Sequence, residues 1–376
     1  MSKNKKSNGK VGLITWGSVT AFLLIFLMVL TILEQGMLNP IFTTILGGKK
    51  PILADESSGY AKIYKSDYKS KEDSVAAGER LNLEIEKEGA TLLVNEDNAL
   101  PIAKGSKVSV FGKNSVNLVL GGSGSGGGNA DQAKTLYDGL ASGGLEFNPD
   151  LKSFYESSAS GKGRSNSPKL SENTAVGALS IGETPVADYP ASVRNSFAKY
   201  SDAAIVVISR IGGESWDLPR VQEKGNGGAG DSRHYLQLDD NEYGLLDMVT
   251  SRFDKVIVVL NTLTSFQCDF IEEYNNTLTD KRIDAVLWIG GPGKNGAEAF
   301  GAILNGDVNP SGKTVDIYAK DFTKDPTWVN FGDNSQVAGG NPNTAYMSTE
   351  TDSLSGGVYN MVTYEEGVYL GYRYYE

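Results

Sequence analysis

The sequence predicts an α/β fold: a mostly parallel sheet flanked by helices (an α/β sandwich), preceded by one transmembrane helix. Three observations predict it. From Arg80 onward, short apolar runs alternate with segments of helical period. Residues 11–33 form one long apolar run without a charge. Finally, Ile211-Gly212-Gly213-Glu214-Ser215-Trp216-Asp217 follows the strand-like run Ala203-Ala204-Ile205-Val206-Val207-Ile208-Ser209. Two glycines and a carboxylate then lie at the C-terminal end of a strand, where open α/β sheets hold their sites.

The first element is the run at 11–33. About 20 apolar residues cross a bilayer as a helix. Lys3, Lys5, Lys6 and Lys10 precede it. A basic flank stays in the cytoplasm, so the chain after it is expected outside the cell. A cleaved signal peptide is the rival, but its apolar core is about 7–15 residues and ends in small residues. Glu34-Gln35-Gly36 fits that poorly, so the run reads as an uncleaved signal anchor. The expected organisation is a basic cytoplasmic tail at 1–10, the anchor at 11–33, a polar stalk at 34–79 and one domain at 80–376. Within that domain, strands are expected at 108–111, 203–209, 256–261, 285–289 and 314–318. Helices are expected at 133–142, 191–199, 241–251, 265–274 and 297–304. Asp239-Asp240-Asn241-Glu242 before Tyr243, Leu246 and Val249 carries the signature of a capped helix start. Strands alternating with helices imply a parallel sheet covered on both faces. Two polar stretches, 153–188 and 333–357, read as long loops between elements.

Composition narrows the function. The chain has 376 residues, 40% of them hydrophobic, and a net charge of −11. That suffices for a large core, and the acidic balance argues against nucleic acid. Cys268 is the one cysteine and His234 the one histidine. A single cysteine forms no internal disulfide. One His and one Cys far apart supply no zinc cluster, so no metal is expected. Asp231, Ser232 and His234 are sequence neighbours without a nucleophile elbow, which argues against a hydrolase triad. Gly121-Gly122-Ser123-Gly124-Ser125-Gly126-Gly127-Gly128-Asn129 invites a nucleotide site. That fingerprint needs its glycines in the first turn after a strand, and here they follow a second apolar piece. No organic cofactor is expected.

Glu214 is the candidate acid. Glycines permit a sharp turn and leave room for a ligand. A carboxylate beside Trp216 loses water, which raises its pKa as a general acid requires. The local pattern alone also fits a solvated loop carboxylate.

Resemblance separates the two. Ser209-Arg210-Ile211-Gly212-Gly213-Glu214 resembles the acid/base segment of the family 3 glycoside hydrolases, the β-glucosidase group. Four further blocks agree in order and spacing. Lys87-Glu88-Gly89-Ala90-Thr91-Leu92-Leu93-Val94-Asn95 through Ala99-Leu100-Pro101 is similar to the entry into the family's second domain. Lys107-Val108-Ser109-Val110-Phe111-Gly112 resembles its first strand. Gly306-Asp307-Val308-Asn309-Pro310-Ser311-Gly312-Lys313 resembles a signature of that domain. Tyr364-Glu365-Glu366-Gly367-Val368-Tyr369-Leu370-Gly371-Tyr372-Arg373-Tyr374-Tyr375 is similar to its closing segment. The resemblance implies an α/β sandwich, no cofactor, and hydrolysis of O-glycosyl bonds in β-glycosides with retention. Glu214 would be the acid/base, with Trp216 and Asp217 binding substrate on the aglycone side. The glycine run would be a flexible loop near the sugar pocket.

Retaining hydrolysis takes two carboxyl groups about 5–5.5 Å apart. In the family the nucleophile is an aspartate on a (β/α)8 barrel. Such a barrel needs about 250 residues, and no eight-fold pattern is present in this sequence. The chain is therefore expected to supply the acid/base domain and to be inactive alone. Its barrel partner would come from downstream, as in members with swapped domain order, or from another chain. The expected partners are thus a β-linked oligosaccharide or glycoside, the membrane and a barrel domain, and not nucleic acid. The alternative is a non-catalytic cell-surface module that binds glycans or a partner.

Overall fold

A computed structural model describes residues 5–35, 67–127, 130–165, 179–214, 218, 222, 233–276, 282–325, 328, 364 and 366–375. The chain divides into two units, Met1–Asp67 and Tyr68–Glu376. In the first, α1 (Lys5–Gln35) contains a 20-residue stretch, Gly12–Thr31, with mean hydropathy 2.3. Among the described residues the side chains of Gly12–Thr31 find no protein core, and Phe22 and Phe26 stack one turn apart. By length and composition it is able to cross a membrane, a test that a signal sequence also passes.

The second unit is built on a six-stranded mixed sheet in the order β1-β6-β5-β4-β2-β3. The strands are β1 (Thr91–Asn95), β2 (Lys107–Phe111), β3 (Glu146–Phe147), β4 (Ala203–Arg210), β5 (Val256–Thr262) and β6 (Ala285–Trp288). Only the β1–β6 pairing is antiparallel. Every residue of β4 and β5 is buried, as a strand covered on both faces requires. Alternation divides β4 between two cores. Ala204, Val206 and Ile208 face one that includes Leu151, Phe154, Leu245, Val249 and Phe270. Ala203, Ile205 and Val207 face the other, with Leu136, Leu140, Phe300, Ile303 and Leu304.

The first core is covered by α4 (Pro149–Glu156), α5 (Ala191–Ser196), α6 (Asp240–Thr250) and α7 (Asp269–Asn275). The second is covered by α3 (Leu136–Ser142) and α8 (Phe300–Asn305). Asp239 and Glu242 form the capping box of α6 that the sequence announces. Before the sheet comes α2 (Lys71–Gly89), with Ser70 as its cap. The boundary expected at residue 80 falls inside this helix. Asn82 ties it to the loop after β6, donating to Pro292 O at 2.8 Å and accepting from the Asn295 amide at 2.8 Å.

Three expectations need correction. Residues 314–318 form no strand, and Val315 is fully exposed. The sheet edge beside β6, where a further parallel strand would pair, is already taken by β1. β1 and the two-residue β3 are the additions; both are short edge strands with weak apolar alternation. The loop expected from 153 begins inside α4, and residues 179–184 return to the interior, burying Leu179, Ile181, Glu183 and Thr184. The loop expected at 333–357 lies outside the described residues.

Candidate active site

The site is assembled at the C-terminal edge of the sheet. β2 connects outward to β3 on one side, and β4 connects to β5 on the other. The chain thus reverses its direction of travel between β2 and β4, the position at which open α/β sheets hold their ligands. Glu214 lies four residues beyond the end of β4.

Its approach is heavily anchored. Arg210 is completely buried at the last position of β4. Its Nη1 and Nη2 donate to Glu242 Oε1 and Oε2, each at 2.7 Å. It also donates to the carbonyls of Tyr235 and Gln237, both at 2.6 Å. The guanidinium is therefore satisfied by a carboxylate and by the returning chain at 235–237. Next, the Ile211 amide donates to Tyr235 Oη at 3.0 Å. Ile211 packs with Val119, Leu179, Ile181 and Tyr235 in a small apolar cluster beneath the rim.

Asn261, near the end of β5, ties two loops to the end of β4. Its Oδ1 accepts from the Val119 amide at 2.7 Å, and its Nδ2 donates to Val119 O at 2.9 Å and Gly290 O at 2.6 Å. Ser209 Oγ closes the set on Asn261 Oδ1 at 3.1 Å. A buried amide with all its groups used holds the loops after β2 and β6 in register with the end of β4.

The glycine run completes the rim. Ser123 forms an isolated parallel bridge with Gly213, and its amide donates to Gly212 O at 3.1 Å. A Cβ on Gly213 would stand 2.1 Å from Ser123 Oγ and 2.4 Å from Ser123 N, so no other residue fits there. One step on, the Ser125 amide donates to Glu214 Oε2 at 3.0 Å. A cavity of about 250 Å³ opens beside this contact, lined by Leu120, Ser123, Gly124, Arg164 and Ile211 among others.

Glu214 itself is exposed, and its carboxyl is held below the usual glutamate range. The Ser125 hydroxyl is the main cause and the Ser125 amide the second, against slight desolvation. The expectation of a raised value needs correction for this chain: donors to the charged form outweigh the loss of water. Trp216 and Asp217 lie outside the described residues, as do Asp231 and Ser232.

His234 is buried in the packing. Its Nδ1 accepts from the Leu236 amide at 3.2 Å, which leaves Nε2 as the donor to Gln267 Oε1 at 3.0 Å. Its ring lies 5.0 Å from that of Trp328. Burial pushes the half-buried Cys268 thiol up to about 12, so it remains a thiol rather than a thiolate nucleophile. Among the described residues no group of three or more His, Cys, Asp and Glu side chains is placed to hold a metal.

This is an α/β domain with a crevice at its topological switch point and a carboxylate on the rim. Its sequence places it further: residues 90–372 match the Glycosyl hydrolase family 3 C-terminal domain, so the chain belongs to glycoside hydrolase family 3. Among curated relatives it is 29% identical to β-glucosidase A of Butyrivibrio fibrisolvens over 309 residues, 79% of this chain and 32% of that protein. It is 28% identical to a β-glucosidase of Ruminococcus albus over 300 residues, 78% of this chain and 26% of the relative. The chain spans a third or less of the length of these relatives. Among solved structures, β-glucosidase 3B of Thermotoga neapolitana in complex with glucose aligns with a TM-score of 0.58 and 26% identity. The alignment covers 81% of this chain and 36% of that one.

Proposed function

We propose that this chain is the acid/base domain of a β-glucosidase-like, retaining glycoside hydrolase. The observation that carries the proposal is Glu214 on the rim of the switch-point crevice, within a segment matching the family. The relatives are β-glucosidases, and one solved structure that resembles this chain is described in complex with glucose. Glu214 protonates the leaving glycosidic oxygen. Its carboxylate then takes a proton from the water that attacks the glycosyl-enzyme. Trp216 and Asp217 shape the aglycone side. The nucleophile comes from a (β/α)8 barrel domain, downstream or on another chain, and this chain alone does not turn over. As the barrel and sugar close over Glu214 they remove water from it, which favours the protonated form that an acid needs.

The same proposal places the domain outside the cell. Residues 11–33 span the cell membrane once, the basic tail at 1–10 stays inside, and the polar stretch before the domain, within 34–79, acts as a stalk. The run at 11–33 is uncharged and follows four lysines, which supports that orientation.

The test is Glu214→Ala in the chain joined to its barrel domain, beside the unjoined chain as a blank. Substrates with poor leaving groups are expected to lose about 10²–10⁴-fold, the usual worth of a general acid. Activated aryl glycosides lose less in the first step and regain turnover with azide, an anion that needs no base. Equal losses on both classes without azide rescue would remove Glu214 from this role.

A further inference from the structure

Glu214 does not stand free on its rim. Ser123 is pinned to the exit of β4 by its bridge to Gly213. A short 3₁₀ turn, Gly124–Gly126, then carries Ser125 over the carboxylate. The Ser125 amide reaches Oε2 at 3.0 Å, and the Ser125 hydroxyl bonds the same carboxyl group. Gly124 makes the approach feasible. Its φ is +74°, in the left-handed region, and a Cβ there would lie 3.0 Å from Glu214 Oε2 and 3.1 Å from Glu214 Cβ. Each residue of the run from Ser123 to Ser125 is thus fitted either to β4's exit or to the carboxylate.

We propose that Ser125 is a positioning residue for Glu214, gripping Oε2 and leaving Oε1 as the oxygen that carries the catalytic proton. The proposal rests on the acid/base reading above. The chemistry follows from donor and acceptor roles. An amide N–H only donates, so the oxygen facing it must present a lone pair. A proton on Oε2 would turn it into a hydroxyl oxygen, a far poorer acceptor than a carbonyl oxygen, and would weaken the bond from the Ser125 amide. The carboxyl proton therefore resides on Oε1 and passes from there to the leaving glycosidic oxygen. Water later returns a proton to the same Oε1, so Oε2 stays on the loop through both steps. Among the described residues, Ser125 and slight desolvation are what act on the ionisation of Glu214, and no charged neighbour enters. Donors to the charged form make Glu214 a stronger acid and a weaker base than an ordinary glutamate.

Ser125→Ala deletes the hydroxyl and keeps the amide, while Ser125→Thr keeps both. In the full chain in detergent micelles, with [δ-¹³C]glutamate, the Glu214 carboxyl is assigned by its loss in Glu214→Gln and titrated by carbon NMR. The titration should move upward in Ser125→Ala and return in Ser125→Thr. In the enzyme joined to its barrel, the basic limb of kcat/KM on poor leaving groups should move the same way, with kcat reduced about tenfold in Ser125→Ala. A loop that only supports the fold would change protein yield and leave both pH midpoints in place. Unmoved midpoints in Ser125→Ala therefore overturn the proposal, with the acid/base reading intact if Glu214→Gln is inactive. Full activity of Glu214→Gln overturns that reading and the catalytic half of the proposal with it.

Discussion

At the scale of single residues, the most consequential side chain away from the rim is Glu183. It is buried behind the end of β2, and its Oε1 accepts from the amides of Lys113 at 3.1 Å and Thr184 at 2.8 Å. Burial pushes its carboxyl up to about 8, against the pull of those amides. The sign of the consequence follows from proton linkage. The folded chain holds this proton more tightly than the unfolded chain, whose glutamate has a value near 4.5. The contribution to stability is complete below about pH 4.5 and is lost as pH rises toward 8, by up to about 1.4 kcal/mol per pH unit. Glu183→Gln imitates the protonated form and removes the titration. Its urea midpoint should fall less than that of the parent chain between pH 5 and 8.5. Parallel curves for the two proteins would show that Glu183 does not titrate in that window.

At the scale of elements, β4 and α6 are locked by one buried ion pair. Arg210 ends the strand and Glu242 sits in the first turn of the helix, with side chains 0% and 3% exposed. Glu242 also accepts from the Asp239 amide at 2.9 Å, so the helix cap and the ion pair share one carboxylate. Removing one partner leaves a buried charge without its counterion, which costs about 3–5 kcal/mol. Replacing both by apolar groups of similar volume is often close to neutral. Glu242→Ala should therefore lower stability strongly, and the double substitution Arg210→Met with Glu242→Leu should recover most of the loss. Denaturant midpoints of the three proteins decide it. A double variant no more stable than Glu242→Ala would mean that Arg210 acts chiefly through the carbonyls of Tyr235 and Gln237. Because that strand end leads into the Glu214 segment, the pair also anchors the start of that segment.

At the scale of the whole molecule, the two units differ in what they do with apolar surface. Residues 12–31 present an uncharged apolar surface that finds no protein core. The sheet domain buries its apolar side chains on both faces of one sheet. The four lysines ahead of the apolar stretch of α1 orient the chain in the proposed anchoring. Protease added to intact cells should remove an epitope placed at the C-terminus, and an N-terminal epitope should survive until the membrane is opened. Protection of the C-terminal epitope in sealed cells would reverse the orientation.

The sequence by itself determined the features that depend on neighbours along the chain. The continuous apolar runs of β4 and β5 read as buried parallel strands because both faces of each residue's surroundings are apolar. The Asp239–Glu242 cap is a contact across three residues and is legible for the same reason. Glu214 stood out because glycines and a carboxylate follow a strand at a fixed offset, and the family resemblance marked the same residue. Tertiary structure decided what depends on distant partners. β1 is too weakly patterned to announce itself; it becomes a strand because β6 offers it an edge, and the residues at 314–318 lose theirs for the same reason. Ser125 is 89 positions from Glu214 and carries no local signal, yet its bonds hold that carboxyl below the usual glutamate range. Asn261 shows the same limit, since an asparagine ending a strand reveals nothing of the two loops it joins until the fold brings Val119 and Gly290 to it. Periodicity and caps are short-range and survive in the one-dimensional record. Hydrogen bonds between loops are made by closure of the fold, and only the fold contains them.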